Sequence, residues 1–132
     1  MSQIKSTARP LSPHLQIYRP MLSTAMSILH RITGISLAMG MLGFALWLLA
    51  AATSDSCFAV AQAFFANWFG KLVLFGMSWA LIHHMLGGLR YLVWDTGHGF
   101  KLPHVELMVR ANIIGSVVIT ILLWIFSFGV LA

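Results

Sequence analysis

Three clusters of polar or ionisable residues lie within or beside long apolar stretches of this 132-residue sequence. In the first, His30 and Arg31 follow Ser27 by three and four residues, which places all of them on one face of a helix. A cation beside a hydroxyl can stabilise charge that develops on a ligand oxygen. Because such side chains are costly in lipid, they predict a binding site for an anionic or carbonyl-bearing ligand. The alternative is an arginine that reaches the lipid headgroups, with a serine and a histidine bonded to the backbone.

The second cluster is the histidine pair His83 and His84. Neutral imidazole is the usual ligand of haem iron, and helix bundles build such sites in their interior. Adjacent helical residues point about 100° apart, so at most one of the two histidines faces a given cofactor. Helical geometry alone leaves both candidates open. A histidine that only packs or forms hydrogen bonds is the alternative interpretation.

Sequence spacing also predicts how deep these clusters lie. His84 precedes Arg90 by six residues, which is about 9 Å along a helix. If the first two long helices are antiparallel, His84 lies at the level of His30 or somewhat deeper. The third cluster is the turn of residues 94–98, in which Asp95 takes a helix-end or interfacial position, and residues 95–99 are the stop signal of the second long helix.

The elements that must position these residues are helices in a membrane. Hydrophobic residues make up 59% of the chain and charged residues 8%, whereas soluble domains average about 25% charged residues. This composition excludes a soluble globular domain, a disordered chain and a solvated coiled coil. Uncharged stretches long enough to span a membrane cover residues 32–54, 72–89 and 111–132. The sequence therefore predicts an all-α integral membrane protein with three transmembrane helices.

Two regions are expected along the chain. Residues 1–20 contain three prolines and are predicted to form an extended arm on the membrane surface. Residues 21–132 are predicted to form one transmembrane domain. Its helices are expected over about 21–52, 60–94 and 105–130.

The distribution of basic residues predicts the orientation of the chain. Seven of the eight Lys and Arg residues belong to the arm, the start of the first helix or the second loop and its flanks, and Lys71 is alone on the other side. Since positive residues favour the cytoplasmic side, the amino terminus is predicted in the cytoplasm and the carboxyl terminus on the opposite side. The net charge of +5 thus comes from basic residues that flank membrane spans, and it does not indicate a nucleic-acid partner.

Taken together and in this order, the motifs resemble the family of cytochrome b556 subunits of succinate dehydrogenase, which is respiratory complex II. The resemblance covers the whole chain. It rests on Arg-Pro-Leu-Ser-Pro-His-Leu over residues 9–15, Ser27-x-x-His30-Arg31-x-x-Gly34, and His84-x-x-x-Gly88-x-Arg90 followed by Asp95.

The resemblance implies a membrane anchor of an electron-transfer complex. Its partners would be a second hydrophobic anchor subunit, an iron–sulfur subunit and a flavoprotein subunit, in a bacterial or mitochondrial inner membrane. It implies that His84 is one axial ligand of a single b-type haem and that a histidine of the second anchor is the other. His30 and Arg31 would lie near the haem propionates, and Ser27 and Arg31 would bind ubiquinone. The chain has no succinate-binding or flavin-binding motif, so it is not expected to be catalytic alone.

Two alternatives to this function remain at the level of sequence. A small transporter or channel subunit also carries ionisable residues in its spans, but it usually has a carboxylate within the membrane. The cores of the three predicted spans contain no Asp or Glu. A structural anchor without haem is the other alternative.

One departure from the family pattern is Tyr91, because many relatives have a histidine there, and no role of that histidine is carried over.

Overall fold

The protein is a bundle of helices joined by short turns. A computed structural model describes residues 17–131, and of these it describes the side chains of residues 17–128. The helices are α1 (Leu22–Thr53), α2 (Asp55–Ala66), α3 (Trp68–Asp95) and α4 (Leu102–Leu131). Because α1, α3 and α4 are long and apolar enough to cross a membrane, the predicted all-α class with three membrane-spanning helices is confirmed. Residues 1–16 of the predicted arm lie outside the described residues.

Helix α1 is longer than a bilayer is thick and is mostly exposed along its length. Its 32 residues extend about 48 Å, compared with about 30 Å of hydrocarbon. Only Met26 and Thr33 are buried in it. An apolar surface of this extent is covered by lipid or by another subunit.

The second long helix, expected over about 60–94, is α3, which begins at Trp68, and a separate short helix, α2, precedes it. Asn67 separates them with an extended backbone (φ −75°, ψ 166°). Its side-chain oxygen accepts a hydrogen bond from the backbone N–H of Gly70 at 2.9 Å, which caps the amino terminus of α3. The apolar pattern of the sequence continues across Asn67, so the hydrophobic pattern alone does not predict the separate helix α2.

The turn between α3 and α4 follows the predicted stop signal. Gly97 and Gly99 adopt left-handed backbone conformations, with φ of 80° and 82°, which glycine adopts without steric cost. Helix α4 begins at Leu102, about three residues earlier than the sequence predicted. Pro103 explains the difference, since an N–H is not needed in the first turn of a helix.

The contacts of α3 define the interior of the bundle, because α3 packs against each of the other three helices. Among the described side chains that are buried between the helices, six are polar and four are apolar. They are Thr33, His83, Arg90, Asn112, Ser116 and Thr120, together with Met26, Ala80, Ile82 and Val109. Two polar contacts of these side chains join different helices, Thr33 with His84 and His83 with Ser116, and in lipid such contacts help to fix how helices pair.

Candidate functional site

Two of the predicted clusters meet where α1 packs against α3. The imidazole rings of His30 and His84 stack with their centroids 3.9 Å apart and their planes 14° apart. The prediction that these histidines lie at the same depth is therefore confirmed.

Each of these histidines forms a hydrogen bond with the backbone of the other. His84 Nδ1 lies 3.1 Å from the His30 carbonyl oxygen, and His30 Nε2 lies 3.2 Å from the His84 carbonyl oxygen. A carbonyl oxygen can only accept, so each of these ring nitrogens carries a proton and donates it. A neutral His84 consequently has its lone pair on Nε2, which forms no hydrogen bond with the described residues.

Two glycines give the rings the space they occupy. A Cβ atom at Gly34 would lie 3.0 Å from Cε1 of His84. A Cβ atom at Gly87 would collide with Cδ2 of His30. Each histidine ring thus covers a glycine of the opposite helix, which allows α1 and α3 to approach closely at this level.

His83 lies on a different face of α3, against α4. It is 1% exposed, its Nδ1 lies 3.4 Å from the Ser116 hydroxyl oxygen, and its ring packs against Trp79. No part of this ring is open to a planar cofactor, whereas His84 is only half-buried. The packing therefore distinguishes two histidines that helical geometry leaves equivalent.

Ser27 and Arg31 lie one turn apart towards the amino-terminal end of α1. Ser27 is half-buried, and its hydroxyl donates to the Ser23 carbonyl oxygen at 3.1 Å. Arg31 is exposed, and no ion pair joins it to any other residue within 17–128. The guanidinium group is therefore available to a ligand or to another subunit.

The comparison with known proteins decides the family. Residues 5–126 match the succinate dehydrogenase/fumarate reductase transmembrane subunit family. The chain belongs to this family. Membership in a transmembrane family, together with three apolar helices, makes it a multi-pass inner-membrane protein.

Named relatives cover most of the chain. A succinate dehydrogenase cytochrome b556 subunit of Paracoccus denitrificans is 42% identical over 128 residues, which are 97% of this chain and 98% of the relative. The subunit of the same name from Rickettsia conorii is 35% identical over 117 residues, 89% of this chain and 91% of the relative. A succinate dehydrogenase cytochrome b560 subunit of Marchantia polymorpha is 42% identical over 103 residues, 74% of each chain. The resemblance inferred from the motifs is thereby confirmed.

In this succinate dehydrogenase/fumarate reductase subunit, Tyr91 also packs against His30. Its ring meets the His30 ring edge-on, with centroids 5.2 Å apart. The Arg90 guanidinium carbon lies 5.3 Å from the centroid of Tyr91 and 5.0 Å from that of Trp94. Tyr91 follows His84 by seven residues, or two helical turns, and this spacing places the two residues on one face of α3.

A buried polar cluster between α3 and α4 was not predicted. Arg90 and Asn112 are each 4% exposed. Among the residues that the structure describes, none is a hydrogen-bond partner of Arg90 Nε or Nη1 or of either amide atom of Asn112. The sequence signal for it is the four-residue spacing of Asn112, Ser116 and Thr120, which forms a polar stripe along one face of an apolar helix.

Proposed function

We propose that this subunit is a haem-binding membrane anchor of succinate dehydrogenase that helps to form the site of ubiquinone reduction. His84 would hold one haem b, which would be shared with a second hydrophobic anchor subunit, and a histidine of that anchor would hold it from the other side. The iron–sulfur and flavoprotein subunits complete the assembly on the cytoplasmic face, which is also the side of the amino terminus. Electrons from succinate reach quinone through the iron–sulfur clusters.

The orientation of the His84 ring carries this proposal. A histidine that binds a metal needs one unprotonated nitrogen, and its other ring N–H is almost always held by a carbonyl, a carboxylate or water. The His30 carbonyl takes the Nδ1 proton of His84 at 3.1 Å, which leaves Nε2 as the ligand atom. The glycine at position 34 provides the space for this ring. These residues fit a b-type haem, and the bound group supplies a one-electron redox centre.

Arg31 and His30 are the proposed contacts of the haem propionates. Arg31 is exposed one residue after His30, and guanidinium–carboxylate hydrogen bonds are among the strongest in proteins. The Nε2 proton of His30 is already donated to the His84 carbonyl. His30 can therefore donate to a propionate only from Nδ1, and only when its ring carries a second proton.

Ser27 and Arg31 are the proposed quinone-binding residues. Reduction of a quinone adds two electrons and two protons, so negative charge develops on its carbonyl oxygens. A hydroxyl and a guanidinium group that donate to these oxygens stabilise that charge. The Ser27 hydroxyl now donates to the Ser23 carbonyl, and rotation about its side-chain bond redirects the proton to a quinone. Both residues lie near the end of α1 that faces the cytoplasm in the proposed orientation, where water supplies protons.

The experiment that tests the proposal is a haem assay on the intact complex. The complex that contains this chain is purified, and its haem is measured by the pyridine haemochrome method and by the reduced-minus-oxidised spectrum. The expected result is one b-type haem per complex. A fully assembled complex that reduces quinone with succinate and contains no haem would contradict the haem-binding anchor.

A further inference from the structure

Thr33 is a buried hydroxyl beside the proposed haem ligand. It is 2% exposed and lies on α1, one turn after His30. Its Oγ1 lies 3.0 Å from the Leu29 carbonyl oxygen and 2.9 Å from the His30 carbonyl oxygen. The same atom lies 3.4 Å from Nδ1 of His84 on α3.

We propose that Thr33 is a positioning residue that, with the His30 carbonyl, holds the Nδ1 proton of His84 and so sets the orientation and donor strength of its Nε2. This inference rests on the proposed function, in which Nε2 of His84 binds haem iron. No motif or spacing in the sequence assigned a role to Thr33.

The direction of each hydrogen bond follows from the atoms present. The Thr33 hydroxyl has one hydrogen, and the two carbonyl oxygens beside it can only accept. Its hydrogen therefore goes to the Leu29 or the His30 carbonyl, a common arrangement for threonine within a helix. A lone pair of Oγ1 is left for the Nδ1–H of His84. That N–H group is consequently shared between the His30 carbonyl at 3.1 Å and Thr33 Oγ1 at 3.4 Å.

This arrangement has a consequence for an iron atom on Nε2. An acceptor on the outer N–H of a ligand histidine makes the imidazole a stronger electron donor. Stronger donation stabilises the ferric state more than the ferrous state. Removal of the Thr33 oxygen is therefore expected to shift the equilibrium towards ferrous haem and to raise the midpoint potential. The expected change is up to about tenfold in the ferrous-to-ferric ratio, which corresponds to about 59 mV for one electron.

Three variants of the complete complex separate the hydroxyl from the packing. Thr33→Val keeps the shape of the side chain and removes its oxygen. Thr33→Ser keeps the oxygen and removes a methyl group. Thr120→Val is the matched control, since Thr120 is 1% exposed and its hydroxyl donates to the Ser116 carbonyl oxygen.

The measurement is a redox titration of the haem absorption band, with the haem content of each preparation determined in parallel. Thr33→Val is expected to have a raised midpoint potential, whereas Thr33→Ser and Thr120→Val keep the wild-type value. Loss of haem in Thr33→Val with full haem in Thr33→Ser also supports the role of the hydroxyl. A wild-type potential in Thr33→Val, an equal shift in Thr120→Val, or loss of haem from both Thr33 variants would overturn it. An absence of haem from the wild-type complex would instead contradict the proposed function itself.

Discussion

His30 and His84 each donate a ring hydrogen bond to the backbone carbonyl of the other residue, at 3.2 and 3.1 Å, across the contact between α1 and α3. Their rings stack at 3.9 Å within this arrangement. The pair therefore joins two membrane-spanning helices and fixes which nitrogen of His84 has a lone pair. The same two histidines thus form a contact between helices and include the proposed haem ligand.

Gly87→Ala tests the close approach that allows this pair to form. The added Cβ atom collides with the His30 ring, and such overpacking costs about 1–3 kcal/mol. We expect a lower unfolding temperature and a weaker haem band. Gly76→Ala on the same helix is the control, because its Cβ atom meets nothing within 4 Å. Equal stability of the two variants in thermal unfolding would contradict the close packing of His30 on Gly87.

Ser27→Ala and Arg31→Leu test the proposed quinone contacts. Each variant removes a donor to the quinone oxygens, and a hydrogen bond to a charged group contributes about 1.5–3 kcal/mol. Succinate–quinone turnover is expected to fall about tenfold or more for Arg31→Leu and by a smaller factor for Ser27→Ala. Succinate-dependent reduction of a soluble dye should be unchanged, since it does not require this site.

The control for the arginine substitution is Arg110→Leu, which removes an exposed cation that pairs with Glu106 on the surface of α4. Its quinone turnover is expected to remain near that of the wild type. A loss of turnover that is equal in both arginine variants, or equal in both the quinone and the dye assays, would speak against a specific quinone contact.

Asn112→Leu tests the polar cluster between α3 and α4. Both amide atoms of Asn112 are buried, with no hydrogen-bond partner among residues 17–128, and a buried polar group without a partner is destabilising. Replacement by an apolar side chain of similar size is expected to leave the unfolding temperature unchanged or to raise it.

Ser116→Ala is the matched comparison for Asn112→Leu. The Ser116 hydroxyl is 3.4 Å from Nδ1 of buried His83 and donates to the Ile113 carbonyl, so its removal is expected to cost about 1 kcal/mol. If Asn112→Leu proves the more destabilising of the two in thermal unfolding, then Asn112 binds water or another group in the intact protein.

The sequence predicts the spans, the turn after Asp95 and the common depth of His30 and His84 for simple physical reasons. Lipid requires long uncharged helices, a stop signal of polar residues and glycines ends α3, and the rise per residue converts spacing into depth. The spans and the turn can each be predicted from a single segment of sequence. The common depth of the two histidines requires only that two helices run antiparallel.

The faces of the helices are harder to predict. A membrane helix is apolar on all sides, so no amphipathic pattern shows which side is buried. The separation of His83 from His84 depends on contacts with other helices, namely with Ser116 on α4 and with Gly34 on α1. For the same reason, the role inferred for Thr33 follows only from its distance to His84.

The most direct test of the central claim is the haem content of the complex with His84→Leu compared with that of His83→Leu. Both residues are adjacent histidines of α3, and succinate-dependent dye reduction verifies assembly in each preparation. The haem band is expected to be lost or strongly altered in His84→Leu and retained in His83→Leu. An unchanged haem spectrum in His84→Leu, or loss of haem only in His83→Leu, would contradict the assignment of His84 as the ligand.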